Sequence, residues 1–131
     1  MTILASEHGP QETAARFVAA LTARGMTLVS RVNHSVGATA VGLALRPTEL
    51  IVFGNPLVGT PLMQAGQTAG IDLPLRALVW EDEAGRTWLG YIDPNWIAKR
   101  HGIGDALDAT IAKMADNLSF VTRHATERDP A

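Results

Sequence analysis

The chain has 131 residues, of which 47% are apolar and 18% charged, with a formal net charge of −2. That is the length of one domain, too apolar for a disordered chain and without the basic excess of a nucleic-acid binder. Cysteine is absent, which excludes disulfides, thiolate metal sites and a cysteine nucleophile together. No apolar run approaches the roughly 20 residues of a membrane span, and no basic segment followed by an apolar core opens the chain. The expectation is a cytoplasmic protein folding as one domain over 1–131, with no membrane or nucleic-acid partner.

Residues 2–7 alternate weakly and suit a short first strand. Gly9-Pro10 then opens a helix over about 10–24, with Ala14, Phe17, Val18 and Leu21 on one face and Gly25 placed for a left-handed C-terminal cap. Met26 to Val32 reads as a strand. Val36 to Val41 reads as a short helix capped by Ser35, and 42–46 as a return to the sheet that Pro47 interrupts. Glu49 to Phe53 suits a buried strand, and Thr60-Pro61 a helix start.

Leu75 to Trp80 and Thr87 to Ile92 form a hairpin around Glu83-Ala84-Gly85-Arg86. A two-residue loop there sends Trp80 and Trp88 to opposite faces, whereas a three-residue loop puts them on the same face. Glu81-Asp82-Glu83 reads as a solvated edge that discourages strand pairing. Asp93-Pro94 caps a short helix over 95–101. The last helix, about Asp105 to His124, carries the narrow stripe Leu107, Ile111, Met114, Leu118 and Val121.

A set of Gly/Pro blocks recurs along the middle of the chain. They are Asn33-His34-Ser35, the run from Gly42 to Leu50, Phe53-Gly54-Asn55-Pro56, Gly59 to Gln64, Asp72 to Arg76, and Tyr91-Ile92-Asp93-Pro94. In that order they resemble the bacterial family designated domain of unknown function 302, over about residues 6–103. The resemblance implies a two-layer α+β fold, an antiparallel sheet of about five strands with helices packed on one face, and a homodimer. It implies no activity and leaves the helix at 105–124 outside the shared pattern. Members often carry Asp before the His, where this chain has Asn33.

The candidate ligand-binding residues are His34, Asn55, Thr60, Asp72 and Tyr91. Asn55 and Thr60 flank a strand-to-helix loop whose backbone N–H groups can hold an anion, or serve as turn and cap. That loop lacks the Lys of a phosphate-binding loop and the glycine spacing of a dinucleotide fingerprint. His34 at a strand end is a candidate base, and otherwise a loop histidine. Asp72, before Leu73-Pro74, is a candidate acid or an Asx-turn residue. Tyr91 ends a strand from which it can meet the other two.

His8, His34, His101 and His124 show no metal-ligand spacing, so neither a metal nor a cofactor is expected. Trp80, Trp88, Tyr91 and Trp96 cluster as a ligand wall, a dimer anchor or a core under the hairpin. Three functions follow in order of support. The first is a non-catalytic dimeric module binding a small ligand or a protein partner. The second is an enzyme acting on a small polar substrate through His34 with Asp72 or Tyr91. The third is a structural subunit of a larger assembly, docked through the last helix.

Overall fold

A computed structural model describes residues 1–130. Five strands, β1 (Thr2–Ser6), β2 (Thr27–Asn33), β3 (Thr48–Gly54), β4 (Leu75–Glu81) and β5 (Thr87–Tyr91), form one antiparallel sheet in the order β1-β5-β4-β3-β2. Five α-helices accompany them: α1 (Pro10–Ala23), α2 (His34–Ala40), α3 (Pro56–Ala65), α4 (Pro94–Arg100) and α5 (Asp108–Thr126). The fold class is α+β, as the sequence leads one to expect.

The long helices α1 and α5 pack on each other and cover one face of the sheet. Phe17, Leu21 and Ala14 of α1 and Ile111, Met114, Leu118 and Val121 of α5 are buried there. They meet alternate strand residues: Ile51 and Phe53 of β3, Leu75, Ala77 and Val79 of β4, and Leu89 and Tyr91 of β5. This is the period-two alternation of a sheet buried on one side. The stripe on α5 is thus core rather than a free docking surface, which removes the observation that motivated a structural subunit docked through that helix.

Several boundaries differ from expectation for local reasons. Asn33, not Ser35, caps α2: its side chain accepts from the Val36 N–H at 3.1 Å and from the Ser35 hydroxyl at 2.6 Å. Residues 42–46 do not rejoin the sheet. Gly42 adopts φ +78° and closes α2 by donating to Thr39 O, while Leu43 donates to Ala38 O. The strand then waits for Thr48, past a proline with no N–H to give.

Helix α3 begins at Pro56, four residues before the expected Thr60-Pro61 start, because Asn55 accepts from the Leu57 N–H at 2.9 Å. Pro61 falls inside α3. The bond it forfeits would have gone to Leu57, which is 85% exposed and open to water. Residues 105–107 form a separate 3-10 turn before α5.

The hairpin takes the same-face alternative. Trp80 pairs with Trp88 across the strands, Asp82 N–H donates to Arg86 O at 2.8 Å, and Gly85 turns the chain at φ +80°. Asp82 is no solvated edge residue. Its carboxylate accepts from the Trp88 indole N–H at 2.8 Å and from the backbone of Ala84 and Arg86, each at 2.9 Å.

The Trp88 indole N–H and then the Arg86 N–H hold the Asp82 carboxyl below the usual carboxylate range, partly opposed by burial. A folded-state pKa below the unfolded one stabilises the fold above the unfolded value, near pH 4. That stabilisation is lost as pH falls through the folded value. Asp82→Asn is therefore expected to lower the melting temperature at pH 7. The gap to the parent should close as the solution is taken below the carboxylate range, followed by circular dichroism melts across pH.

Candidate functional site

A cavity of about 700 Å³ opens at the end of the sheet where β2 begins and β3 ends. Its walls come from five segments brought together by the fold. Met26 just before β2 and Thr27 and Val29 within it form one wall; α3 and its cap give Asn55, Val58, Thr60 and Met63; the segment entering β4 gives Leu73 and Pro74. Helix α5 adds Thr110, Lys113, Met114, Asn117 and Leu118, and Arg24 comes from the end of α1. The volume is that of ordinary small-molecule sites, about 300–1,000 Å³.

Of the five residues singled out in the sequence, Asn55 and Thr60 line this cavity. Their backbone is not a free anion cradle. Asn55 Oδ1 takes the Leu57 N–H, and Asn55 O takes the Val58 and Gly59 N–H groups, both at 2.9 Å. Asp72 and Tyr91 belong to the same end of the sheet but lie outside the cavity lining. Tyr91 is buried in the core.

His34 does not meet Asp72 or Tyr91. It follows Asn33, which pairs with Glu49 at the far end of the sheet, whereas Asp72 precedes Leu75, which pairs with Phe53. In an antiparallel sheet these are opposite ends. The convergence of these three residues does not occur.

Asp72 has a different histidine, one that sequence reading passed over. The carboxylate is buried and accepts from Arg100 Nη1 at 3.0 and 3.2 Å; Arg76 Nη2 stands 3.8 Å away. His101 Nε2 contacts Asp72 Oδ2, which it shares with Arg100, and His101 Nδ1 lies 2.9 Å from the Thr68 hydroxyl. A carboxylate only accepts, so Nε2 carries the proton and a neutral ring accepts from Thr68 through Nδ1. Hydroxyl, imidazole and carboxylate in series are the parts of a nucleophilic relay. Here the carboxylate is shared with two guanidiniums, and Thr68 lies outside the cavity. The cluster ties the 3-10 turn Gln67–Ile71 to the end of α4.

Among the described residues no group of three or more His, Cys, Asp or Glu could hold a metal ion, and no helix is long and apolar enough to cross a membrane. The hairpin tryptophans lie on the sheet face away from α1 and α5, half-buried.

The family profile described as domain of unknown function DUF302 matches residues 2–121. The chain belongs to that family. The match takes in most of α5, which the sequence resemblance had left outside. A crystal structure of an uncharacterized conserved DUF302 protein from Bacillus stearothermophilus superposes with a TM-score of 0.83 at 18% identity, covering 95% of this chain and 96% of that one.

Two curated relatives are each 48% identical over 120 residues, 92% of this chain. They are fluoride-specific ion channel FluC 1 of Brucella suis biovar 1 (strain 1330) and FluC 1 of Brucella abortus biovar 1 (strain 9-941). The match spans 47% and 44% of those proteins, so this chain corresponds to less than half of their length.

Removing the Asp72 carboxylate leaves the buried His101 ring without its acceptor, while the Arg76 and Arg100 side chains, 41% and 48% exposed, turn to water. Asp72→Asn is expected to cost about 2 kcal/mol of unfolding free energy through that buried hydrogen bond, read from urea titration. A loss below about 1 kcal/mol, the size for exposed pairs, would show that the cluster is not a buried lock.

Proposed function

We propose that the chain is a non-catalytic dimeric module, working in the cytoplasm, that binds a small ligand in the cavity between α3 and α5. The observation that carries this reading is the cavity itself: its size, its apolar walls and a few polar side chains around them form the usual composition of a ligand site. Asn55 and Thr60 are its sequence-predicted members. The enzyme alternative loses the constellation on which it was built, since His34 stands apart from Asp72 and Tyr91.

Native mass spectrometry of protein purified from its own host tests the reading. The parent chain should carry a retained mass that Met63→Trp, which fills the cavity from α3, removes without unfolding the protein. An unliganded parent, or a mass that survives Met63→Trp, overturns it.

The dimer rests on a separate observation. The sheet face away from α1 and α5 carries one apolar row across four strands, Val32, Leu50, Leu78 and Ile3, in register around Gly90. Trp80 and Trp88 lie beside this row, and a Cβ at Gly90 would come within 3.2 Å of Trp80. A face of that kind suits the same face of a second copy. Light scattering should give twice the 14.0 kDa chain mass, and Leu78→Lys should return the monomer. A monomeric parent at micromolar concentration refutes the dimer.

A further inference from the structure

The charge around the cavity is of one sign. Arg24 and Lys113 line it, with the neutral polar groups of Asn55, Thr60, Thr110 and Asn117, and among the described residues no Asp or Glu does. Arg24 is held in place by neutral partners. Its Nη1 donates to Asn117 Oδ1 at 3.2 Å, and its guanidinium lies 3.6 Å from the centre of the Phe120 ring. Among the described residues neither Arg24 nor Lys113 is in an ion pair. Arg16, Arg31, Arg76, Arg100 and Arg128 each face a carboxylate, while Arg46, Arg86, Lys99 and Arg123 also lack an ion pair among the described residues but do not line the cavity.

The opposite chemistry lines the rest of the cavity. Met26, Met63 and Met114 stand with Val58, Leu73 and Leu118. Methionine is unbranched and polarizable, so three of them make a wall that adapts to a flexible apolar body. Acidic residues of the neighbouring segments, Asp105, Asp108 and Asp116, are not part of the lining.

We infer that the ligand is an amphipathic organic anion, its acidic group between Arg24 and Lys113 and its apolar body against the methionine wall. The inference rests on the cavity being the ligand site and adds the class of molecule it takes. Apolar burial supplies affinity, while the two cations select for charge. Arg24, pre-positioned by Asn117 and Phe120, loses little freedom on binding. Lys113 is the neighbour that can be changed without disturbing a hydrogen bond the structure shows. Neutral and cationic molecules of the same shape gain the burial but not the charge pairing.

Calorimetric titration of the full chain with decanoate, decanol and decyltrimethylammonium tests this. Decanoate should bind about tenfold or more tightly than decanol, and decyltrimethylammonium weakest of the three. Lys113→Glu should weaken decanoate by at least that factor and leave decanol unchanged, with melting temperature confirming the fold. Equal affinity for decanoate and decanol, or decanoate binding indifferent to Lys113→Glu, overturns the anionic class while the cavity stands as a binding site. If neither decanoate nor decanol binds, or Met63→Trp leaves both unchanged, the cavity reading itself fails.

Discussion

The fold turns on one aromatic contact between helix and sheet. Phe17 of α1 meets Phe53 of β3 edge to face, with ring centroids 5.3 Å apart and planes at 80°, and neither side chain is exposed. This is a favoured geometry for two rings. In a chain with seven aromatic residues and twenty alanines, it places two of the largest side chains at the middle of the core. Small residues around it, Ala14, Ala20 and Ala77, let the helix approach the sheet closely. Phe53 also ends the buried part of β3 just before Gly54 and Asn55, so the contact that anchors α1 also fixes where the cavity wall begins.

The two sheet faces divide labour because the register leaves no choice. Ile51, Ala77 and Tyr91 fall on one row under the helices, and Leu50, Leu78 and Gly90 on the next row outward. The helices cover only the first set. The same alternation sends both hairpin tryptophans outward, and Asp82 fastens one of them by its indole N–H. The aromatic cluster between Trp80 and Trp96 therefore does not build the core: only Tyr91 does so, whereas Trp96 is half exposed.

Much of the architecture was legible in the sequence wherever a local pattern decided the outcome. The spacing of Ala14, Phe17, Val18 and Leu21, the Gly25 cap with φ +75°, the hairpin and the stripe on α5 all report local rules of periodicity and turn chemistry. Errors arose where two local signals competed, as at Asn55-Pro56 and Thr60-Pro61, each a plausible helix start. The candidate site was legible only in part. Asn55 and Thr60 belong to one short segment, the cap and first turns of α3, and reach the cavity together. His101 lies 29 residues from Asp72, beyond any spacing rule, and only the packing of α4 beside the turn before β4 brings them into contact. Arg24 and Lys113 were equally silent, because a surface cation without a partner looks like any other until the fold shows what surrounds it.

The edge strand β2 bears on how copies of the chain can meet. Its pairing with β3 skips at Val29, between Leu28 and Ser30, and all seven of its residues are exposed. Further along, Arg31 reaches across to Glu49 with its Nε 2.7 Å from the carboxylate. A strand bent by a bulge and marked by a charge makes a poor template for another chain's backbone. The sheet is thus guarded against growing sideways from molecule to molecule, and open-ended fibres are disfavoured where a closed pair is not.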